Sequence, residues 1–567
     1  MSFFSDKESV YQFAELFIQK GLKHIVVSPG SRNAPLALTL ASYKSIQADV
    51  MVDERSAAFY ALGLAQQTKK AVAVICTSGS AVMNYMPAVV EAHYQKIPLI
   101  IVSADRPEEW IDQNDGQTIR QKNVFGDFVN KSVHIPQQII DDNGRWYSGR
   151  LINEALNAAY YPQAGPVHIN FPFSEPLYGK LPKEQFKKVK QIKHLLPIAD
   201  LAENQWKELK NDWEQSGSTL ILCGMNHPNP IINKSLNKLG KLSQVSLLSE
   251  STSNLFGEAF NPCIDNLLFN TDEIEEAEKM QPELLITFGG QIVSKKIKAF
   301  LRKHKAFQHW HIGTENNIQD TYQSLTHHLQ ISPEVFFSKV ENWPEVKTTY
   351  KSIWKEKHKL SEERHKKFLA DCPYSDLKVF ESILQAIPDK SNVQIGNSTP
   401  IRYQQLFAID KQLYTYANRG TSGIDGTVST AVGAAIAVPE KQTVLITGEL
   451  AFFYDSNGLW LENFPVNLKI IIINNGGGGI FRIIEGPEKN ELTQRFLESQ
   501  HKLTAKGIAQ TFGISYTECK KAEKLDSQLK DFFHSKKASI LEVFTPTELN
   551  DKVLKAYIHF LRFGVKA

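Results

Sequence analysis

A glutamate directly behind a glycine at the end of one aliphatic run, and two asparagines at the end of the next, have the types and spacing to hold a metal. From Thr447 the chain reads TGELAFFYDSNGLWLENFPVNLKIIIINNGGGGIF. Gly448 frees the backbone for a close approach, and Glu449 follows at once. The second run, Ile470 to Ile473, ends at Asn474-Asn475 and a glycine tract. If the two runs are neighbouring parallel strands, Glu449 and one asparagine offer hard oxygen ligands to one divalent cation. A loop carbonyl can add a third. Magnesium takes such ligands in octahedral geometry, completed by phosphate oxygens and water. Backbone N–H groups behind Gly448, at a helix start, suit a diphosphate. Gly448-Glu449 alone reads more readily as an ordinary strand–helix turn. The correctly separated Asn-Asn pair is what carries the metal reading.

A second candidate is Met51 to Phe59, MVDERSAAF, leading into a small-residue helix. Acids in a first helical turn are favoured by the helix dipole, which is a bland reason for Asp53 and Glu54. Other tempting residues carry less. The sixteen histidines form no HExxH, and His93 reads as a helix-face residue. Gly476 to Gly479 lacks the Gly-Lys-Ser/Thr end of a nucleotide loop. The middle of the chain has no GxGxxG behind a strand, so bound FAD or NAD is not expected.

The elements that must position these residues repeat one pattern. His24 to Val27 runs into Ser28-Pro29-Gly30, Val72 to Cys76 into Thr77-Ser78-Gly79, and Pro98 to Val102 into Ser103-Ala104-Asp105. Leu220 to Cys223, Leu284 to Phe288, Val393 to Ile395 and Val444 to Thr447 also end at glycine. Near-continuous aliphatic runs are strands buried on both faces of a parallel sheet. Helical periods such as Glu54 to Gln67 lie between them, which makes the class α/β and doubly wound. In such sheets ligands bind beyond the carboxyl ends of strands. Residues 174–200 and 340–375 read as linkers, the second as a solvated charged helix. Three domains follow, at 1–180, 195–335 and 375–567.

Composition sets the outer bounds. At 567 residues the chain exceeds one core. Hydrophobic residues at 42%, charged residues at 22% and a net charge of +3 give no global pull toward nucleic acid or membrane. Five scattered cysteines without a CxxC pair fit a reducing cytoplasm. The opening MSFFSDKESVYQF has no signal-peptide pattern. No run approaches the ~18–20 apolar residues of a membrane helix.

The Gly-acid and Asn-Asn pair resembles the thiamine-diphosphate fingerprint, with Glu449 in place of its aspartate and Leu450 in place of its second glycine. Further stretches narrow the resemblance. They are SPGSRNAPL from Ser28, DERSA from Asp53, ADRP from Ala104, QTIRQ from Gln117, GNS from Gly396 with Arg402, and NRGTSGIDG from Asn418. Taken in order, they are similar to the 2-succinyl-5-enolpyruvyl-6-hydroxy-3-cyclohexene-1-carboxylate synthase family of menaquinone biosynthesis.

That resemblance implies three doubly wound parallel-sheet domains of the thiamine-diphosphate enzyme type. It implies thiamine diphosphate with Mg²⁺ (or Mn²⁺), and a transferase that decarboxylates 2-oxoglutarate and adds the succinyl-semialdehyde carbanion equivalent to isochorismate. It implies an active site at the interface of two copies, in a homodimer or homotetramer. Glu54 would be catalytic, bonding the aminopyrimidine ring of a cofactor held by the partner's third domain. Ser422, Ile424, Gly448, Glu449, Leu450 and Asn475 would hold the cofactor, Ile424 wedging it into a bent form. Glu449, Asn475 and the Gly477 carbonyl would hold the metal. Ser398, Arg402 and Arg419 would hold the succinyl part. Arg32, Arg106, Gln117 and Lys295 would hold isochorismate, with Lys295 and Lys296 not separable. Ile480 and Phe481 would line the reacting centre. Each substrate is a dianion, and arginine matches a carboxylate in bidentate geometry. Two alternatives remain: another 2-oxo-acid decarboxylase or carboligase on the same fold, or a non-catalytic thiamine-fold binding protein.

Overall fold

The computed structural model describes residues 3–269, 274–483 and 491–565. Its strands form three six-stranded sheets. The first contains β1 (His24–Val27), β2 (Gln47–Val50), β3 (Val72–Cys76), β4 (Leu99–Asp105), β5 (Lys131–His134) and β6 (Pro166–Pro172). The second contains β7 (Thr219–Cys223), β8 (Val245–Ser249), β9 (Phe260–Asn261), β10 (Leu284–Phe288), β11 (Gln308–Ile312) and β12 (His327–Leu329). The third contains β13 (Asn392–Ile395), β14 (Tyr414–Tyr416), β15 (Thr443–Gly448), β16 (Leu468–Asn474), β17 (Ser515–Cys519) and β18 (Ser539–Phe544). The first sheet runs β2-β1-β3-β4-β6-β5 and is parallel, with Val26 opposite Val74 and Val74 opposite Ile101. The third, β14-β13-β15-β16-β18-β17, repeats that order strand for strand. The second runs β12-β11-β10-β7-β8-β9.

The central strands are where the aliphatic runs lie. Every residue of β3, β4, β6, β7, β8, β10 and β16 is buried. Helices cover both faces of such a sheet, so side chains on either face need an apolar character. Edge strands differ. QADV in β2 and SYTEC in β17 are mostly exposed and polar, so no aliphatic run announces them.

Strand order reverses between β1 and β3 in the first sheet, between β7 and β10 in the second and between β13 and β15 in the third. A crevice opens at such a switch point, outside the carboxyl ends of the strands. The polar turns behind β1 and β3, and behind β13 and β15, therefore sit where ligands bind.

The chain divides into two compact units. One comprises residues 1–196, 418–443 and 451–468, with the first sheet. Within it the helix Glu54–Thr68 packs along the helix Thr427–Ala437. A Cβ at Gly433 would lie 2.0 Å from the Tyr60 carbonyl oxygen, so only glycine permits that approach. The other unit comprises residues 197–417, 444–450 and 469–567, with the second sheet and nearly all of the third. In it the helix Tyr350–Ala370 departs from the expected solvated connector. Tyr350, Trp354, Phe368 and Leu369 are buried in two hydrophobic clusters. Charge dominates this helix, but Tyr350, Trp354, Lys357 and Ser361 recur at helical spacing and form one buried stripe. The Lys357 ammonium meets Glu276 there.

Candidate active site

The candidate metal clamp lies across the neighbouring ends of β15, which borders the switch point of the third sheet, and β16. β15 ends at Gly448, and Glu449 opens the helix Glu449–Tyr454. Glu449 is 2% exposed, and its Oε1 accepts the Gly477 N–H at 2.7 Å. Burial first, and the neighbouring Asp376 as well, push its carboxyl up to about 8, against the opposing backbone N–H groups of Gly477 and Asn475. His501 Nε2 lies 3.5 Å from the same carboxylate.

Successive side chains leave a strand on opposite faces, so Asn474 and Asn475 have different tasks. Asn474 donates to Glu542 at 2.7 Å and to the Leu503 carbonyl at 3.0 Å, inside the sheet. Asn475 donates to Asp376 Oδ2 at 3.0 Å, which leaves its carboxamide oxygen as the atom suited to a cation. Asp376 is buried and also accepts from Thr545 at 2.6 Å. Gly476 and Gly477 both have positive φ, at 79° and 148°. The Gly477 carbonyl accepts from the Gly479 N–H at 2.9 Å. Ile480 and Phe481 follow in a short 3-10 turn and are half-buried.

The same unit carries Ser398, Arg402 and Lys295. Ser398 precedes the helix Thr399–Gln404 at φ 72°, a conformation unusual for a residue with a Cβ. Arg402 is half-buried and, with Lys296, faces the half-buried Asp265. The two lysines now differ. Both are exposed, but Lys296 lies over the Phe269 ring at 4.5 Å, while Lys295 is the first residue of its helix, Lys295–Lys303. Ser294 caps that helix through the Ile297 N–H, and Glu250 accepts the Val293 and Ser294 N–H groups at 2.7 Å each.

The first unit holds the remaining candidates. Asp53 caps the helix Glu54–Thr68 by accepting the Ser56 N–H at 3.1 Å, which puts Glu54 in the first turn. Asn84 donates to Glu54 Oε2 at 3.1 Å. The turn after Tyr454 is tied to the same end of the helix. Arg55 donates to the Tyr454 carbonyl at 2.8 Å, Asn457 to Asp53 at 2.8 Å, and Ser56 to Asp455 at 3.4 Å.

Arg32, behind β1, donates to the Phe173 carbonyl at 3.0 Å and pairs with Glu175 at 3.1 Å. Burial, and then the nearby Arg106, hold its guanidinium below the ordinary value. Two arginines this close put positive charge in one place, which suits an anion. Arg106 also meets Asp115. Gln117 is exposed at φ 60° beside Gly79. Arg419, Ser422 and Ile424 share one loop and are half-buried.

Comparison with known proteins decides the family. Residues 10–124 match the thiamine pyrophosphate enzyme N-terminal TPP binding domain, 200–395 the middle domain and 394–543 the C-terminal TPP binding domain. The 2-succinyl-5-enolpyruvyl-6-hydroxy-3-cyclohexene-1-carboxylate synthase of Christiangramia forsetii is 43% identical, over 96% of this chain and 97% of that protein. Proteins of the same name from Flavobacterium psychrophilum and Porphyromonas gingivalis are 44% and 38% identical, over 96% and 98% of this chain. The chain belongs to this synthase family.

The clamp of this synthase suits thiamine diphosphate with a hard divalent cation. Among the described residues no group of three or more His, Cys, Asp and Glu side chains could hold a metal. The candidate ligands are instead a carboxylate, a carboxamide and a backbone carbonyl, an all-oxygen set of the kind Mg²⁺ takes. A carboxylate as buried as Glu449 needs a positive partner to stay ionised, and a cation supplies one. A Cβ at Gly448 would meet no described atom within 4 Å, so the strand end is open where a diphosphate would approach. Two buried acids that contact candidate residues or their loop escaped the sequence reading. Asp376, which orients Asn475, opens the helix Asp376–Ala386 and looks there like an ordinary first-turn acid. Glu91, in the helix Met86–Gln95, looks like one polar residue on a helix face.

Proposed function

We propose that this synthase, with thiamine diphosphate and Mg²⁺ (or Mn²⁺) bound, decarboxylates 2-oxoglutarate and joins the remaining four-carbon unit to isochorismate by 1,4-addition, in menaquinone biosynthesis. The observation that carries the reading is the buried Glu449–Asn475 pair at the neighbouring ends of β15 and β16. The bound cofactor supplies the carbanion chemistry, and the protein supplies orientation and electrostatics. Glu449, Asn475 and the Gly477 carbonyl hold the metal. Gly448, Leu450, Ser422 and Ile424 hold the rest of the cofactor. Glu54 holds and passes a proton at the aminopyrimidine ring, its carboxylate steadied by Asn84. Ser398, Arg402 and Arg419 bind the carboxylates of 2-oxoglutarate. Arg32, Arg106, Gln117 and Lys295 bind isochorismate, Lys295 being preferred because Lys296 is engaged with Phe269. Ile480 and Phe481 keep water from the reacting centre.

Two copies of the chain make the working enzyme in this reading, as a dimer or a dimer of dimers. Glu54 of one copy then serves the cofactor held by the third domain, 375–567, of its partner. All five cysteines are unpaired, as a reducing compartment requires, and the cytoplasm is the proposed location.

The test is donor choice. Carbon dioxide release is measured with 2-oxoglutarate or pyruvate, each with isochorismate present. A site built around paired arginines should prefer the dianion by about a hundredfold or more in kcat/KM. Turnover of pyruvate with none of 2-oxoglutarate would overturn the substrate assignment.

A further inference from the structure

The loop Asn418 to Gly426 is bound to its unit at its start and in its middle. At its start, Asn418 Nδ2 donates to Thr430 Oγ1 at 3.0 Å and to the Gly426 carbonyl at 3.4 Å. In its middle the loop meets Glu91, a carboxylate with no exposure, on the helix Met86–Gln95. Glu91 accepts the Gly420 N–H at 2.7 Å, the Thr421 N–H at 2.7 Å and the Thr421 hydroxyl at 2.6 Å. Gln95 donates to the same carboxylate at 2.5 Å. A Cβ at Gly420 would lie 2.7 Å from the Glu91 carbonyl oxygen, so the loop is pressed onto the helix.

Burying a carboxylate is costly unless its oxygens are fully satisfied. Here satisfaction comes largely from one short stretch of loop. Two consecutive N–H groups converging on an anion fix the two peptide planes between them. Those planes belong to Arg419-Gly420 and Gly420-Thr421. They set the direction in which Arg419 leaves the backbone and lead into Ser422, which stands at φ 63°.

We infer that Glu91 is a positioning residue for the reaction, holding the loop so that Arg419 and Ser422 face substrate and cofactor. The inference rests on the proposed reading, in which Arg419 binds a 2-oxoglutarate carboxylate. Glu91 itself is enclosed and touches neither ligand.

Glu91→Gln replaces one acceptor oxygen by a donor, so the three loop donors can no longer all be met. The experiment is steady-state kinetics of the holoenzyme, with each substrate varied in turn, on Glu91→Gln and on Arg419→Ala. A hydrogen bond to a charged group is worth roughly 1.5–3 kcal/mol. The KM for 2-oxoglutarate should therefore rise about tenfold or more in Glu91→Gln, while that for isochorismate stays within about twofold. A purely structural role would lower thermal stability without this split between the two KM values. If Arg419→Ala raises the KM for 2-oxoglutarate and Glu91→Gln leaves it unchanged, the inference is overturned and the functional reading stands. If Arg419→Ala leaves it unchanged, the substrate assignment falls and takes the inference with it. Should Glu91→Gln fail to fold, Thr421→Val removes only the hydroxyl donor. The same selective rise, smaller in size, is then expected, and an unchanged KM for 2-oxoglutarate counts against the inference.

Discussion

Glu449 carries one methylene more than the aspartate of the usual thiamine motif, and it sits 2% exposed with its Oε1 on the Gly477 N–H. In the proposed site, a side chain that reaches across to the neighbouring strand end in this way need not alter which atoms would meet the metal. Glu449→Asp should keep Mg²⁺-dependent binding of thiamine diphosphate within about tenfold, since it forfeits one charge-assisted hydrogen bond of roughly 1.5 kcal/mol. Calorimetry with and without Mg²⁺ checks this. Complete loss of metal dependence would mean the site is built around the longer side chain. Glu54→Gln, in contrast, keeps size and shape but cannot carry the proton. It should lower kcat by about 10²–10⁴-fold with an unchanged melt, and near-normal turnover would remove Glu54 from its assigned role. Glu449 and Asn475 were legible in the sequence because they end aliphatic runs. Asp376 and Glu91 were not, because each meets its partner more than ninety residues away in sequence.

At the scale of elements, the helix Glu54–Thr68 depends on glycine in its neighbour. Gly433→Val would drive a branched side chain into the Tyr60 carbonyl, 2.0 Å from the new Cβ. Overpacking of this kind costs about 3 kcal/mol or more, which thermal unfolding would register as a large loss. A Tm within a degree or so of the parent would show that the two helices are not held at that distance.

Asp455 ties the turn after Tyr454 to this helix pair and accepts the Ser429 N–H and hydroxyl at 2.7 Å each. Burial pushes its carboxyl up to about 7. In the unfolded chain an aspartate titrates near about 3.9, so between those values the folded form holds a proton that the unfolded form releases. The group's contribution to stability is full below about pH 4 and is lost as pH rises through about 7. Asp455→Asn removes that titration. Its melting temperature should fall less than the parent's between about pH 5 and pH 7.5, and equal slopes would contradict the assignment. The buried central strands could be read from the chain, because burial on both faces leaves an aliphatic signature. The polar edges β2 and β17, and the buried stripe of Tyr350–Ala370, could not, because their burial depends on what the fold places against them.

Across the whole molecule, the first and third sheets share one strand order, and the predicted α/β class with three parallel sheets is the class observed. No described helix is long and apolar enough to cross a membrane. If the cofactor is shared between two copies, specific activity should fall on dilution in step with dissociation seen by analytical ultracentrifugation. A dissociated chain with full activity would place the complete site in one copy. The central claim, synthesis from 2-oxoglutarate and isochorismate, is tested most directly by mass spectrometry of the product alongside measured carbon dioxide. With thiamine diphosphate and Mg²⁺ present, each isochorismate consumed should yield one carbon dioxide and one adduct with the mass of isochorismate plus succinic semialdehyde. Carbon dioxide released while isochorismate remains unconsumed would contradict it.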